Sequence, residues 1–174
     1  MIKVQSPLTA ETIKSLKAGD SVLLSGVIYT GRDAAHKRII ELLAAGKSLP
    51  FDLKGQTIYY AGPCPAAPGK IIGSIGPTTS SRMDIYSPML IKEGLFVMIG
   101  KGQRSKEVTD LIVRHTGIYF AAVGGAGALL SLCVKQAEIA AFEDLGTEAI
   151  YKLTVQDMPL VVAADSFGGC IYTR

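Results

Sequence analysis

The chain has 174 residues, of which 48% are apolar and 19% charged, and its net charge is +3. That length fits a single domain over 1–174, enough to bury roughly 70% of the surface exposed by the unfolded chain. So small a charge, with no run of Lys or Arg, argues against nucleic acid as a partner. The cysteines Cys64, Cys133 and Cys170 are widely spaced and form no Cys-x-x-Cys pair, which argues against a disulfide framework and against a self-contained zinc or iron–sulfur site. A reducing cytoplasm is the expected compartment. Met1–Pro7 lacks the apolar core of a signal peptide. The longest uncharged stretch, Gly117–Val134, is short for a spanning helix of roughly 17–25 residues. Gly124, Gly125 and Gly127 also break it, so no membrane segment is expected.

In chain order, Ile2–Val4 reads as a short strand. Thr9 caps a helix through Leu16 that Gly19 ends. Val22–Tyr29 is a β-branched, apolar strand stopped by Gly31. Asp33–Ala45 reads as a helix with Ile39, Ile40, Leu42 and Leu43 on one stripe and Gly46 as its stop. Gly55–Ala61 is the next strand, and the Pro- and Gly-rich stretch 62–69 is a loop. Cys64 lies there between two prolines, and a structural or incidental role suits it. Ile71–Ile75 reads as a strand and Asp84–Lys92 as a helix that Pro88 kinks or begins. Leu95–Ile99 and Ile118–Val123 are apolar runs suited to strands buried on both faces. Ser105–His115 is a helix between them. A further helix runs from the glycines at 124–127 through Val134. Ile139–Phe142 is a strand, 143–150 a loop, and Ile150–Val155 and Leu160–Ala164 are two strands joined through Asp157-Met-Pro159. The tail 166–172 reads as edge or loop. Strands alternating with helices predict an α/β fold with a partly parallel sheet flanked by helices.

The stretch from Ile72 to Asp84 is the centre of the functional reading. It contains Gly73, Gly76 and Pro77, the hydroxyls of Ser74, Thr78, Thr79, Ser80 and Ser81, and then Arg82. Glycine admits close backbone approach, hydroxyl residues favour helix starts, and a helix start offers free N–H groups to an anion. Arg82 adds a planar fork suited to carboxylate or phosphate. The bland reading is a capped helix whose hydroxyls serve only its own backbone. Arg32 and Lys101 repeat the pattern of a basic residue beside glycine at a strand-to-helix switch, and the glycines at 124–127 could cradle an anion. The bland readings are a surface ion pair of Arg32 with Asp33 or Glu41, an ordinary exposed His36, and a solvated turn lysine. Ligands of such sheets bind beyond the carboxyl ends of the strands, where all four turns fall. Two arginines and a lysine around one cleft suit a small ligand with two negative groups, a dicarboxylate or a sugar phosphate.

Five segments carry a likeness: Gly31-Arg32-Asp33-Ala-Ala-His36-Lys37, Gly76-Pro-Thr-Thr-Ser-Ser-Arg82-Met-Asp84, Gly100-Lys101-Gly102, Gly124-Gly-Ala-Gly-Ala128 and Asp157-Met-Pro159. In this order, from about Gly19 to Gly169, they resemble the β subunit, or C-terminal domain, of class I fumarases and L(+)-tartrate dehydratases. The Gly-Pro-Thr-Thr-Ser-x-Arg-Met segment is the specific one. Asp157-Met-Pro159 departs mildly from the more usual Asp-Phe-Pro. The resemblance implies a swivelling β/β/α domain within an iron–sulfur hydro-lyase. A partner α subunit would hold the [4Fe–4S] cluster by three cysteines, in an α2β2-type assembly inactive without it. It implies that Arg32, Thr78, Thr79, Arg82 and Lys101 bind a C4 dicarboxylate, and that Thr78 lies at the reacting carbon. His36 and Asp33 are second candidates for proton transfer. Fumarate hydration to malate and tartrate dehydration to oxaloacetate both remain open. A stand-alone anion-binding module without catalysis is the reading from another class.

Overall fold

The computed structural model describes residues 1–173. Its strands are β1 (Ile2–Ser6), β2 (Ser21–Thr30), β3 (Thr57–Tyr59), β4 (Val97–Gly100), β5 (Ile118–Ala121), β6 (Val134–Ala141) and β7 (Ile150–Ala164). They form one mixed sheet in the order β1-β2-β3-β4-β5-β7-β6. The first five run parallel to their neighbours, and β7 runs antiparallel to β5, β6 and β2. Because β7 pairs with both β5 and β2, the ladder β2-β3-β4-β5-β7 closes on itself. The α/β class and partly parallel sheet expected from the sequence are what the chain adopts.

The central strands are apolar without alternation because both faces are covered. Tyr59, Ile99, Phe120 and Val162 enter one core, with Ile13 of α1 (Ala10–Ser15) and Leu130 of α5 (Gly127–Leu132). Their neighbours Ile58, Met98, Tyr119 and Ala163 enter the other. That second core takes Ile39 of α2 (Asp33–Ala44), Leu90 of α3 (Ser87–Lys92) and Ile112 of α4 (Lys106–Arg114). Thr9 and Ser105 cap α1 and α4 by accepting from the backbone N–H of Thr12 and Val108.

Several boundaries differ from the sequence reading. Ile71–Ile75 joins no ladder; its backbone bonds go to the Pro-rich loop and to Gly127. The helix expected over Asp84–Lys92 begins only at Ser87 as α3, after a separate 3-10 turn at Ser80–Met83, with Pro88 in the first turn of α3, where no N–H is needed. The helix expected through Val134 stops at Leu132, because Val134 pairs with Val155 and starts β6 well before Ile139. Residues 143–148 are 3-10 helix rather than open loop. The two late strands are one. Asp157 takes a φ of 51° opposite a register shift between Leu24 and Gly26, and its N–H bonds Ser25 Oγ at 3.0 Å. The strand bulges there and continues, with Pro159 opposite Leu23. Among the described residues, no helix is long and apolar enough to cross a membrane.

Past the end of β7, the buried Asp165 carboxylate accepts the backbone N–H groups of Ala18 (2.9 Å), Phe167 (2.8 Å) and Gly169 (2.9 Å). Burial alone would raise its pKa; the three donors outweigh it and hold the carboxyl below its ordinary value. A lowered folded pKa contributes stability that is present above the unfolded value of about 3.9 and is lost as pH falls below it. Asp165→Asn is expected to cost about 1.5–3 kcal/mol at neutral pH, from losing charge-assisted bonds. It should also flatten the loss of stability below about pH 4. Urea unfolding of both proteins between neutral and acidic pH checks this.

Candidate anion-binding site

The parallel strands β2, β3, β4 and β5 end at Thr30, Tyr59, Gly100 and Ala121, and the turns at 31–33, 101 and 124–127 leave from that one edge, whereas the 76–82 turn follows irregular chain instead of the expected strand. The hydroxyl-rich turn lies across it. Thr78 N–H donates to Tyr60 O at 2.7 Å, Thr79 bridges to Lys101, and Ser80 N–H donates to Lys101 O at 2.9 Å. Ile75 N–H donates to Gly127 O at 3.0 Å, which seats the glycine turn against the same loop. A β-carbon on Gly127 would lie 2.5 Å from Ser74 Oγ and 2.8 Å from Gly76 N. The turns at 31–33, 78–82, 101 and 124–127 therefore form one continuous surface.

Arg32 is the N-cap residue of α2 and lies outside the helix, in extended backbone. Its partner is neither Asp33 nor Glu41. Its Nε stands 3.7 Å from Glu148 Oε1, too far for a hydrogen bond, and that buried Nε has no bonded partner among the described residues. The stem passes directly over Gly62. A β-carbon there would stand 2.9 Å from Arg32 Cδ and 2.7 Å from Thr147 O. Asp33, the next residue, clasps Arg82: Nε donates to Oδ1 at 3.1 Å and Nη2 to Oδ2 at 2.8 Å. The Arg82 side chain is still 52% exposed, and Thr79 and Lys101 are exposed. The cations thus line an open face of this chain rather than a closed hollow.

Ser80 fixes the turn from below. Its Oγ accepts Lys101 N–H at 3.0 Å and lies 2.8 Å from Tyr119 Oη. Tyr119 Oη is also 2.8 Å from Gly102 O. A carbonyl only accepts, so the phenolic proton goes to Gly102 and the Ser80 proton to the phenol. Ser80 fits because Gly100 lacks a side chain; any β-carbon there would overlap Ser80 Oγ and reach within 2.9 Å of the Tyr60 ring.

His36 is not exposed. Its ring is fully buried, edge-on to Tyr60 at 5.4 Å and tilted over Tyr86 at 5.9 Å. Its Nδ1 lies 2.8 Å from the Arg32 carbonyl, so Nδ1 carries the proton and Nε2, which has no partner among the described residues, is the bare nitrogen. Burial lowers its pKa to about 4, against a smaller raising effect of the Arg32 carbonyl, so the ring is neutral at pH 7. It braces the backbone of Arg32 from inside and does not face the open surface.

Sequence reasoning passed over four side chains that shape this region: Glu148, which meets Arg32 from the turn before β7, and Tyr119, Asp84 and Arg104 beneath the hydroxyl turn. Arg104 has a side chain only 1% exposed, inside a stretch that reads as a polar turn. Among the described residues, no three His, Cys, Asp or Glu side chains gather as metal ligands. Cys64, Cys133 and Cys170 are free thiols, so this chain's donor set does not fit a resident iron–sulfur cluster.

A closed mixed sheet with cationic, glycine-lined turns at one edge is an architecture suited to holding a small anion. The Fumarase C-terminus family model matches residues 1–174, and the chain belongs to that family. It is 44% identical over 153 residues to the Escherichia coli (strain K12) protein "Fumarate hydratase class I, anaerobic", covering 87% of this chain and 28% of that protein. To "Fumarate hydratase 2" of Leishmania major it is 37% identical, covering 94% of this chain and 29% of that one. To the "Putative L(+)-tartrate dehydratase subunit beta" of Methanocaldococcus jannaschii it is 43% identical over 171 residues, covering 95% and 88%. The chain thus spans under a third of the two fumarate hydratases and most of the tartrate dehydratase subunit.

Two outcomes follow from this geometry. Gly62→Ala should displace both the Arg32 stem and the Thr147 carbonyl, seen as shifted Arg32 side-chain resonances and a lowered midpoint of urea unfolding. His36 has a folded pKa below its unfolded value of about 6.5, so the unfolded chain takes up the proton first. Stability should be complete above about pH 6.5 and fall between there and about pH 4, by about 3 kcal/mol in all. His36→Gln should remove that slope, as measured by chemical unfolding across the interval.

Proposed function

We propose that this chain is a single-domain β subunit of an iron–sulfur hydro-lyase that reversibly hydrates fumarate to (S)-malate. It binds the C4 dicarboxylate while a partner α subunit supplies a [4Fe–4S] cluster. The observation that carries the reading is the set Arg32, Arg82 and Lys101 on adjoining turns at one sheet edge, with the Arg32 stem held over Gly62. Family membership supports it. When bound in the partner, the cluster supplies Lewis-acid activation of the leaving hydroxyl.

The work of this chain is electrostatic. Arg32 and Arg82 grip the two carboxylates, and Lys101 adds charge to the same face. Removing the weakly acidic proton next to a carboxylate builds negative charge on that carboxylate. Fixed cations stabilise that charge more than they stabilise the substrate. Asp33 holds Arg82 in plane by Nε and Nη2 and leaves Nη1 for the ligand. With its carboxylate so engaged, Asp33 serves as an orienting group rather than a base, and buried His36 likewise positions Arg32. Thr78 and Thr79 offer hydroxyl donors beside Arg82. Thr78 is the group of this chain nearest proton transfer in the family pattern, although a hydroxyl is a poor base unless its pKa is lowered.

A second reading has its own support. The relative spanned almost end to end by this chain is named as a tartrate dehydratase subunit beta, which favours tartrate dehydration to oxaloacetate by a separate β chain. Comparing kcat/KM for malate, fumarate and L(+)-tartrate in the complex decides between them.

The test is reconstitution with a cysteine-bearing partner chain. A broad visible absorbance band should come with the partner chain and be absent from this chain alone, and hydro-lyase turnover should appear only on mixing. Arg32→Ala and Arg82→Ala should each lower kcat/KM about 10- to 100-fold, for loss of one charge-assisted pair. Near-normal kinetics in both variants would overturn the assignment. Tight binding of phosphate esters by the lone chain, without response to malate or tartrate, would identify an anion-binding module instead.

A further inference from the structure

The 3-10 turn Ser80–Met83, which carries Arg82, is held at both ends by buried side chains. At its start, Ser80 Oγ joins Lys101 N–H to Tyr119 Oη, and Tyr119 in turn holds Gly102 O. At its end, Ser87 Oγ donates to Met83 O at 2.9 Å, and Asp84 Oδ2 accepts Ser105 N–H at 2.6 Å. One residue connects the two ends. Arg104 Nε donates to Asp84 Oδ1 at 2.6 Å, Nη2 to Ser87 Oγ at 2.7 Å, and Nη1 to Met98 Sδ at 3.4 Å. Its guanidinium lies 5.2 Å from the Tyr60 ring centre and 5.0 Å from that of Tyr119. Tyr60 also gives its carbonyl to Thr78 N–H.

A buried arginine has a steep desolvation cost unless its donors are filled, and here three nitrogens have partners and two aromatic faces border the ring plane. Such a network is stiff, because each member is fixed by several bonds at once. We propose that Arg104 is a positioning residue that sets Arg82 and Lys101 in register with each other without touching the ligand. This rests on the anion-site reading above. Two of the cations proposed to grip the dicarboxylate, Arg82 and Lys101, sit on backbone that Arg104 and Tyr119 connect; Arg32 is positioned separately. Lysine cannot replace Arg104, since one ammonium does not span Asp84, Ser87 and the two rings together.

The experiment uses Arg104→Lys and Tyr119→Phe, with Arg82→Ala as the control for the site itself. In the full chain, amide hydrogen exchange at Ser80 and Lys101 should rise at least tenfold over that at core positions Ile99 and Phe120 in both variants. In the reconstituted complex, KM for the dicarboxylate should rise about fivefold or more, a larger change than in kcat. Exchange at Ser80 and Lys101 rising no more than in the core, together with wild-type KM, would overturn the inference. Tyr119→Phe tests the Ser80–Tyr119–Gly102 arm alone; if Arg104→Lys does not fold, Asp84→Asn, which removes the charge that Arg104 Nε meets, decides the matter by the same exchange and KM readouts. If Arg82→Ala leaves KM unchanged, the dicarboxylate reading fails, and the exchange result still judges the link between Arg104 and the turn.

Discussion

Three missing β-carbons shape this surface. At Gly62 the gap lets the Arg32 stem pass between the strand end and the Thr147 carbonyl; at Gly100 it admits the Ser80 hydroxyl; at Gly127 it seats the 124–127 turn against Gly76. Each is a close approach of chain to chain, which a methyl group would close. The closure of β7 onto β2 gathers the strand ends, and the glycines then let the turns stack tightly enough to present their cations together. Neither feature suffices alone. Gathered strand ends with side chains at these positions would hold the turns apart, and glycines on a splayed sheet would have nothing to meet.

The charges show the same division of labour. Arg104 is neutralised by Asp84 and sealed inside, where it governs shape. Burial works against its charge, the neighbouring Tyr60 and Asp84 work for it, and the balance keeps the guanidinium above its ordinary pKa. Arg82 is bound side-on by Asp33 but half exposed, and an ion pair so placed contributes at most about 1 kcal/mol. An incoming carboxylate can therefore share Arg82 at little cost while Asp33 keeps the fork oriented. Among the described residues, Arg32 has only a distant Glu148 and an unfilled buried Nε. Its unmet hydrogen bond is a reason for an acceptor to bind there.

The sequence showed this surface better than it showed the frame beneath. Arg32 and Lys101 could be found because each is a basic residue beside glycine where a strand has just ended, and Arg82 because it closes a run of hydroxyl residues after Gly76-Pro77. Arg104 could not, since Gln-Arg-Ser after a glycine reads as a solvated turn, and burial is decided by Tyr60, Tyr119 and Asp84, which are distant in sequence. The bland reading of His36 as an ordinary exposed histidine fails for a related reason: its polar ring lies on the packed side of α2 between two tyrosines that belong to other segments. The break expected at Asp157-Met-Pro159 reflects a sound local rule, that a proline after an aspartate ends a strand. Pairing with β2 on one side overrides it, because a single left-handed residue absorbs the mismatch and the strand resumes.

A neutral His36 completes the electrostatic logic. A protonated imidazole there would put a buried cation directly behind Arg32 and near Arg104, with only a weak pull from Asp33 against the cost of burial, and would force Nε2 to donate where the described residues give it no acceptor. Keeping the ring neutral leaves Nδ1–H as a firm bond to the Arg32 carbonyl, a bond also made by the His36 backbone N–H. That carbonyl is thus pinned twice, which fixes where the Arg32 side chain leaves the backbone. Positive charge is concentrated on the open face, where a dianion can use it, and the interior that supports Arg32 stays uncharged. Of the two arginines, Arg82 is held by Asp33 and Arg32 stands clear of Glu148, and only the second keeps a buried donor without a partner among the described residues.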